Sequence, residues 1–167
     1  LIPLATFAME TYKDDPCEEF MPKLNANTHI DEKSIRLTAM MHKAIAVLQF
    51  KEEARIFSAH PDWQMTDRNM LSLIDYKKGT CRIDGKEYVM KSCHFPTIDP
   101  AAPNRLTAEE DKLMKKLHHS FMVSEKFHKH VRALLGHGSM YSIFNNNLLF
   151  HASVPLNENG TLKEVEL

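Results

Sequence analysis

The sequence lacks three features that would suggest a function at once, namely paired cysteines, an excess of charge and a long apolar run. Cys17, Cys81 and Cys93 are widely spaced and form no Cys-x-x-Cys pair, which predicts neither a disulfide framework nor a zinc knuckle. We interpret them as reduced thiols of a cytoplasmic protein. With 21 basic and 22 acidic side chains, the formal net charge of -1 predicts no nucleic-acid partner. No apolar stretch approaches the roughly 20 residues of a transmembrane helix, so we expect no membrane partner.

The first residues lack the marks of a protein start. The chain opens on Leu1, Ile2, Pro3 and Leu4, without an initiator methionine. It also lacks the basic start and long apolar run of a signal peptide. We therefore expect an internal piece of a longer protein.

Helical spacing of apolar residues is the main pattern up to residue 138. It predicts a short helix over residues 4–12 and a long one from Asp31, a predicted N-cap, to about Ala59. A small helical turn is expected near residues 67–74. Asp84-Gly85 lies between two strand-like segments, 80–83 and 86–90, and predicts a β-hairpin.

A helical hairpin is expected next. Thr107 and Glu110 have the spacing of a capping box, in which each side chain satisfies a backbone amide of the other at the start of a helix. Ser124 is the predicted N-cap of a second helix, which Gly136 and Gly138 end.

The last part of the chain changes to a strand pattern. Residues 140–144 and 148–154 are strand-like and are separated by three asparagines, 145–147. The second run is almost continuously apolar, which is typical of a strand covered on both faces. We predict an α+β fold with a mainly helical region over 1–138 and strands of a second domain over 139–167.

Most of the ten histidines do not have the spacing of metal ligands. His118 and His119 diverge on one predicted helix, as do His128 and His130 on the next, because same-face ligands need a spacing of three or four. They are interpreted as solvated helix residues. His42 and His94 have no carboxylate at a useful spacing and are interpreted in the same way, and His137 is interpreted as a loop residue between two glycines.

His151 differs because it lies in the apolar strand just before the segment 152–155, where a strand ends and a loop begins. Strand ends are where α/β enzymes often place their chemistry. From the residues alone, a core histidine and a metal ligand both remain open.

Five passages together resemble class 3 fructose-1,6-bisphosphatase, a bacterial family among the calcineurin-like metallophosphatases. In chain order they are LATFAME (4–10), HKAIAVLQFK (42–51), FPTIDP (95–100), GSMY (138–141) and NLLFHASVPLNENG (147–160). The resemblance implies that the helical region is an insertion with a small β-hairpin. It also implies that the final strands belong to a metallophosphatase α/β sandwich, which missing segments complete.

The resemblance also implies a dinuclear Mn²⁺ site in the parent protein, with His151 as one ligand. The family continues His-Gly at that point, where this chain has Ala152. The family's Asp-x-His, Gly-Asp-x-x-Asp-Arg and Asn-His-Asp motifs do not occur in these 167 residues. The chain alone is therefore predicted to be inactive, and the site to be completed by other segments of the same enzyme.

The parent protein would hydrolyse fructose 1,6-bisphosphate to fructose 6-phosphate and phosphate, in gluconeogenesis. The residues that hold the sugar phosphates are not identified, although Lys43, Lys51 and Arg132 are candidates, and a homo-oligomer is left open. The alternative hypothesis is a self-standing helical interaction module without activity, in which the apolar faces around Leu48 and Leu134 bind a protein partner.

Overall fold

The computed structural model describes residues 2–24, 29–139, 141–150 and 153–164. The chain divides into two compact units, Leu1–Ser120 and Phe121–Leu167. The predicted division after residue 138 concerns the domains of a longer protein and stays a prediction. Among the described helices, none has both the length and the apolar character needed to cross a membrane.

The first unit is built around one long helix. Helix α1 (Ile2–Thr11) packs on helix α2 (Glu32–Ala59), and both confirm the sequence prediction. Asp31 is the N-cap of α2, since its side chain accepts a hydrogen bond from the Ser34 amide at 3.0 Å. The buried core cluster of this unit joins both helices, two residues that follow α1 and one residue of the later chain. Its members are Leu4, Phe7, Ala8, Tyr12, Cys17, Ala39, Met40, Ala44, Leu48 and Leu113.

A three-stranded antiparallel sheet follows α2 after several 3₁₀ turns. Strands β1 (Ile74–Asp75), β2 (Thr80–Ile83) and β3 (Lys86–Val89) lie in the order β1-β2-β3. The predicted β2–β3 hairpin is confirmed. Asp84 and Gly85 have φ values of 48° and 75°, and positive φ at both central residues is what a two-residue turn of this kind requires. Strand β1 was not predicted, because two residues carry no periodic signal.

Helix α3 (Ala108–Met122) begins at the predicted capping box. The Glu110 amide donates to Thr107 Oγ1 at 3.2 Å, and the Thr107 amide donates to Glu110 Oε2 at 2.8 Å. Leu113 is buried in the core cluster, and Met114 and Leu117 pack partly against it. The start of α3 is thereby fixed to the first unit by its own apolar face.

The second unit contains helix α4 (Glu125–His137) and a β-hairpin of strands β4 (Tyr141–Phe144) and β5 (Asn147–Phe150). The predicted cap is confirmed, since Ser124 Oγ accepts a hydrogen bond from the Phe127 amide at 3.3 Å. The turn uses only two of the three asparagines, Asn145 and Asn146, whose φ values are 48° and 61°. The third asparagine begins β5.

The second unit has no buried side chain among the residues described from 121 to 164. Within the described residues both strands are exposed, and the coverage of the second strand inside a sandwich stays a prediction.

Candidate functional site

Two buried lysines of α2 are the centres of the main polar clusters in the first unit. Lys43 and Lys51 are only 2% and 1% exposed. Lysine is almost never fully buried unless it is paired, because taking an ammonium group out of water costs several kcal/mol. Each lysine therefore requires an acidic partner from another part of the chain.

Lys43 finds its partner in the loop after α1. Its Nζ donates to Asp15 Oδ2 at 2.6 Å, and the same oxygen lies 2.9 Å from Nδ1 of His94. The other carboxylate oxygen accepts a hydrogen bond from the Cys17 amide at 2.9 Å. The Lys43 ammonium also lies 5.4 Å from the centre of the Phe95 ring, within cation–π range.

The surroundings of Asp15 keep it ionised. Burial alone would raise its pKa, but the hydrogen bonds that the carboxylate receives, led by the one from Lys43, lower the pKa from 3.8 to about 2. Burial, reinforced by the charge of Asp15, raises the pKa of the neighbouring Cys17 thiol to about 11. Cys17 is therefore an inert core thiol at neutral pH.

Lys51 is paired with the start of α3. Its Nζ donates to Glu110 Oε2 at 2.7 Å and to the carbonyl oxygen of Thr97 at 2.8 Å. The same Glu110 oxygen accepts the Thr107 amide of the capping box. One carboxylate thus serves both the helix start and the buried lysine, and the loop at Thr97 is fixed at the same point.

These contacts decide between two roles for the lysines. Lys43 and Lys51 were candidates for holding sugar phosphates, but both are enclosed and already neutralised by carboxylates. They stabilise the fold, and their ammonium groups are not available to an anion from solvent. Arg132, the third candidate, is exposed on α4.

The structure adds a contact that sequence spacing did not show. His94 is exposed, in line with its interpretation as a solvated residue, but its Nδ1 contacts Asp15 across 79 positions of sequence. His42, His118, His119 and His130 are exposed, as predicted. His128 is half-buried, with Nε2 2.9 Å from the Met122 carbonyl oxygen. His137 is the last residue of α4 rather than a loop residue.

The predicted metal ligand His151 lies outside the described residues. Among the residues that the structure does describe, no group of three or more His, Cys, Asp or Glu side chains could hold a metal ion. This part of the chain therefore does not fit a dinuclear metal site, and we derive no catalytic step from a metal here.

An apolar cavity of about 370 Å³ lies between α2 and the sheet. Val47, Phe50, Leu71, Cys81 and Phe95 are among its lining residues. Binding sites usually add a few converging polar groups to such a lining. The cavity wall includes the Lys43 side chain, but its ammonium group is bound to Asp15. The other polar residues of the lining are Glu19, Lys91 and Ser92.

Comparison with known proteins places these features in a family context. A family model described as Firmicute fructose-1,6-bisphosphatase matches residues 1–167. The class 3 fructose-1,6-bisphosphatase of Bacteroides thetaiotaomicron is 54% identical over 168 residues, which cover 100% of this chain and 25% of that protein. The corresponding protein of Bacteroides fragilis is 52% identical over 168 residues, and that of Clostridium novyi 47% over 167, with the same coverage. The chain thus spans about a quarter of the length of these curated relatives. No solved structure matches it.

The Asp15 cluster predicts a loss of local stability when its charge is removed. Asp15→Asn leaves the buried Lys43 ammonium without a counter-charge, so we expect the free energy of opening of α2 to fall by about 2 kcal/mol or more at pH 7. Hydrogen exchange of the α2 amides in the whole protein measures this. Asp14→Asn, a neighbouring change at an exposed carboxylate, should alter the opening free energy by less than about 0.5 kcal/mol.

The same cluster predicts that the stability of the fold decreases as the pH falls. Because the pKa of Asp15 is lower in the folded protein, the ionised carboxylate stabilises the fold fully above the unfolded pKa of 3.8. This contribution is lost as the pH falls towards about 2. The α2 amides of the unsubstituted protein should therefore lose protection over that range, whereas Asp15→Asn should lack this component. Identical pH profiles in the two proteins would contradict the assignment.

The Lys51–Glu110 pair predicts strong coupling between two substitutions. Lys51→Met and Glu110→Gln each leave one buried charge unpaired, at a cost of about 3 to 5 kcal/mol, whereas the double variant leaves none and should lose less than either. The exposed pair Lys115–Asp111 is the matched control, and its coupling should stay below about 1 kcal/mol. Equal coupling in the two pairs, measured by hydrogen exchange of α3, would show that burial of the pair at Lys51 is not decisive.

Proposed function

We propose that this protein, whose chain belongs to the Firmicute fructose-1,6-bisphosphatase family, hydrolyses fructose 1,6-bisphosphate to fructose 6-phosphate and phosphate. The observation that carries the proposal is the match along all 167 residues to class 3 fructose-1,6-bisphosphatases. The matched residues amount to a quarter of those relatives, so the activity is proposed for the whole protein. Such a reaction is a step of gluconeogenesis.

The role of this chain within that enzyme follows from its first unit. Two buried ion pairs hold the loop after α1 and the start of α3 against one helix. Hydrogen bonds from the same groups hold the loop at His94 and Thr97. The four charged groups of these pairs are all buried and closed to a substrate. We infer that residues 2–120 act as a scaffold, while phosphate ester hydrolysis depends on groups elsewhere in the protein.

The metal content of the enzyme is part of the same proposal. We propose a dinuclear Mn²⁺ site in the whole protein, with His151 as one ligand and the remaining ligands from outside these 167 residues. When bound, such a pair of ions would supply the activated hydroxide and the clamp on the phosphoryl oxygens. We also propose that β4 and β5 belong to a metallophosphatase sandwich and that the protein is cytoplasmic. The three free cysteines, Cys17, Cys81 and Cys93, suit a reducing compartment.

The alternative hypothesis of a self-standing interaction module conflicts with the burial of Leu48. That hypothesis required an accessible apolar face around Leu48, but Leu48 is 1% exposed and belongs to the core cluster. Leu134 is accessible, at 72% exposure. Of the two apolar faces that the alternative needs, only the one at Leu134 is accessible.

The activity itself is tested with the whole protein. Purified protein supplied with Mn²⁺ should release inorganic phosphate from fructose 1,6-bisphosphate, measured colorimetrically, and the sugar product should be fructose 6-phosphate. Release that is no faster than the uncatalysed background, from protein with an intact fold, would contradict the proposed reaction.

The assignment of His151 is tested by its metal content. His151→Ala in the whole protein should lower the manganese bound per chain, measured by elemental analysis, and should remove most of the turnover. His137→Ala, a change at the exposed end of α4, is the matched control and should leave both unchanged. Full manganese occupancy in His151→Ala would show that His151 is a core histidine instead.

A further inference from the structure

The three-stranded sheet of the first unit has two faces of different character. Side chains alternate along a strand, so Thr80 and Arg82 of β2 share one face and Cys81 lies on the other. Cys81 lines the apolar cavity against α2. Thr80 and Arg82 line a separate open groove of about 520 Å³. This volume is within the usual range for a small-molecule site.

Thr80 gives the groove a buried polar group. It lies on the central strand of the sheet, between β1 and β3, and is only 9% exposed. Its hydroxyl group makes no hydrogen bond to another side chain or to the backbone of the described residues. Because buried hydroxyl groups are normally satisfied, a molecule bound in the groove is the natural source of a partner.

Three cationic side chains line the same groove, namely Lys77, Lys78 and Arg82. Arg82 lies directly opposite Glu87 in the register of β2 and β3, yet the two form no ion pair in the described part of the chain. A guanidinium group offers parallel N–H donors that fit two oxygens of one phosphate. The groove can therefore recognise a phosphate group.

Two carboxylates also line the groove, Asp75 and Glu87. Oδ1 of Asp75 accepts hydrogen bonds from the amides of Lys77 and Lys78 at 3.1 and 3.0 Å. Its Oδ2 lies 3.9 Å from Nζ of Lys78, so the charge of Asp75 is largely satisfied within the turn. Glu87 can accept hydrogen bonds from the hydroxyl groups of a ligand.

We propose that this groove binds a small phosphate ester that carries hydroxyl groups. Arg82 and Lys77 hold the phosphate, and Thr80 and Glu87 contact the hydroxyl groups. The inference goes beyond the proposed function, which gives residues 2–120 the role of a scaffold. It does not depend on the proposed reaction, because binding is measured without turnover.

A solvated turn explains less of the same surface. Two consecutive lysines in an exposed turn are ordinary and do not by themselves indicate a ligand. Solvation of the turn leaves unexplained why a buried hydroxyl group and an arginine without an ion pair lie two residues apart on one face of a central strand. A bound phosphate ester accounts for both residues at once.

Hydrogen exchange of the whole protein, titrated with fructose 6-phosphate at constant ionic strength, tests the proposal. We expect the amides of residues 75–83 to exchange more slowly when the ligand is bound. In Arg82→Gln, the concentration that gives half of this protection should rise by about tenfold or more, because charge-assisted hydrogen bonds are the strong ones. Thr80→Val keeps the branched shape without the hydroxyl group and should weaken binding several-fold.

Arg55→Gln is the matched control, since Arg55 is an exposed arginine of α2 whose side chain is 70% accessible. Its effect on half-protection should stay below about twofold, because salt screens a distant surface charge. Equal effects of Arg82→Gln and Arg55→Gln would overturn the proposal, as would the absence of protection at residues 75–83. Equal protection by fructose, which has no phosphate, would overturn it as well.

The kinetics of the same variants identify the source of the phosphate ester. A KM for fructose 1,6-bisphosphate that rises in Arg82→Gln in parallel with the loss of protection would identify the substrate as the ligand. Loss of protection without a change in KM would identify another phosphate ester. Protection in a protein that does not release phosphate would contradict the proposed reaction alone, whereas turnover without protection would contradict only this inference.

Discussion

The contacts of two lysines with carboxylates, both inside the first unit, determine how its segments are arranged. Lys43 and Lys51 are carried by one rigid helix, and each must find a counter-charge to offset the loss of its hydration. Asp15 and Glu110 supply these charges from before and after α2 in the chain. Any arrangement that displaced either segment would leave an unpaired charge in the core. The ion pairs therefore specify position as well as contributing to stability.

A hydrophobic pair of similar volume would often stabilise a core as well as a buried ion pair does, so net stability does not explain the choice of residues. The choice of lysines is explained by the direction of the contacts that their ammonium groups make. The Lys51 ammonium reaches both Glu110 and the Thr97 carbonyl, and the Lys43 ammonium lies beside Asp15 and the Phe95 ring. Both lysines thus hold the loop between β3 and α3, which contains three prolines and has few backbone contacts of its own.

Sequence patterns predicted the contacts between neighbouring residues and missed those between residues far apart in the chain. The Asp31 cap, the Thr107 capping box and the Asp84-Gly85 turn involve neighbours within three residues, and all three were predicted. The partners of the buried lysines are separated by 28 and 59 positions, and His94 lies 79 positions from Asp15. No periodic pattern reports contacts at such distances. A lysine among apolar neighbours on α2, as at Lys43, was the one available signal that a carboxylate had to lie nearby.

The two units also differ in whether their own side chains can hold a metal ligand in a defined position. A metal ligand must be positioned to within about 0.5 Å by side chains that pack around it. The first unit has a buried core that can do this for its own residues, but among its described residues it has no metal-ligating cluster. The second unit carries the residue that follows Phe150 in sequence, the proposed ligand His151, yet none of its described side chains is buried. To bind a metal with defined geometry, His151 would therefore need packing partners beyond the described residues of the second unit.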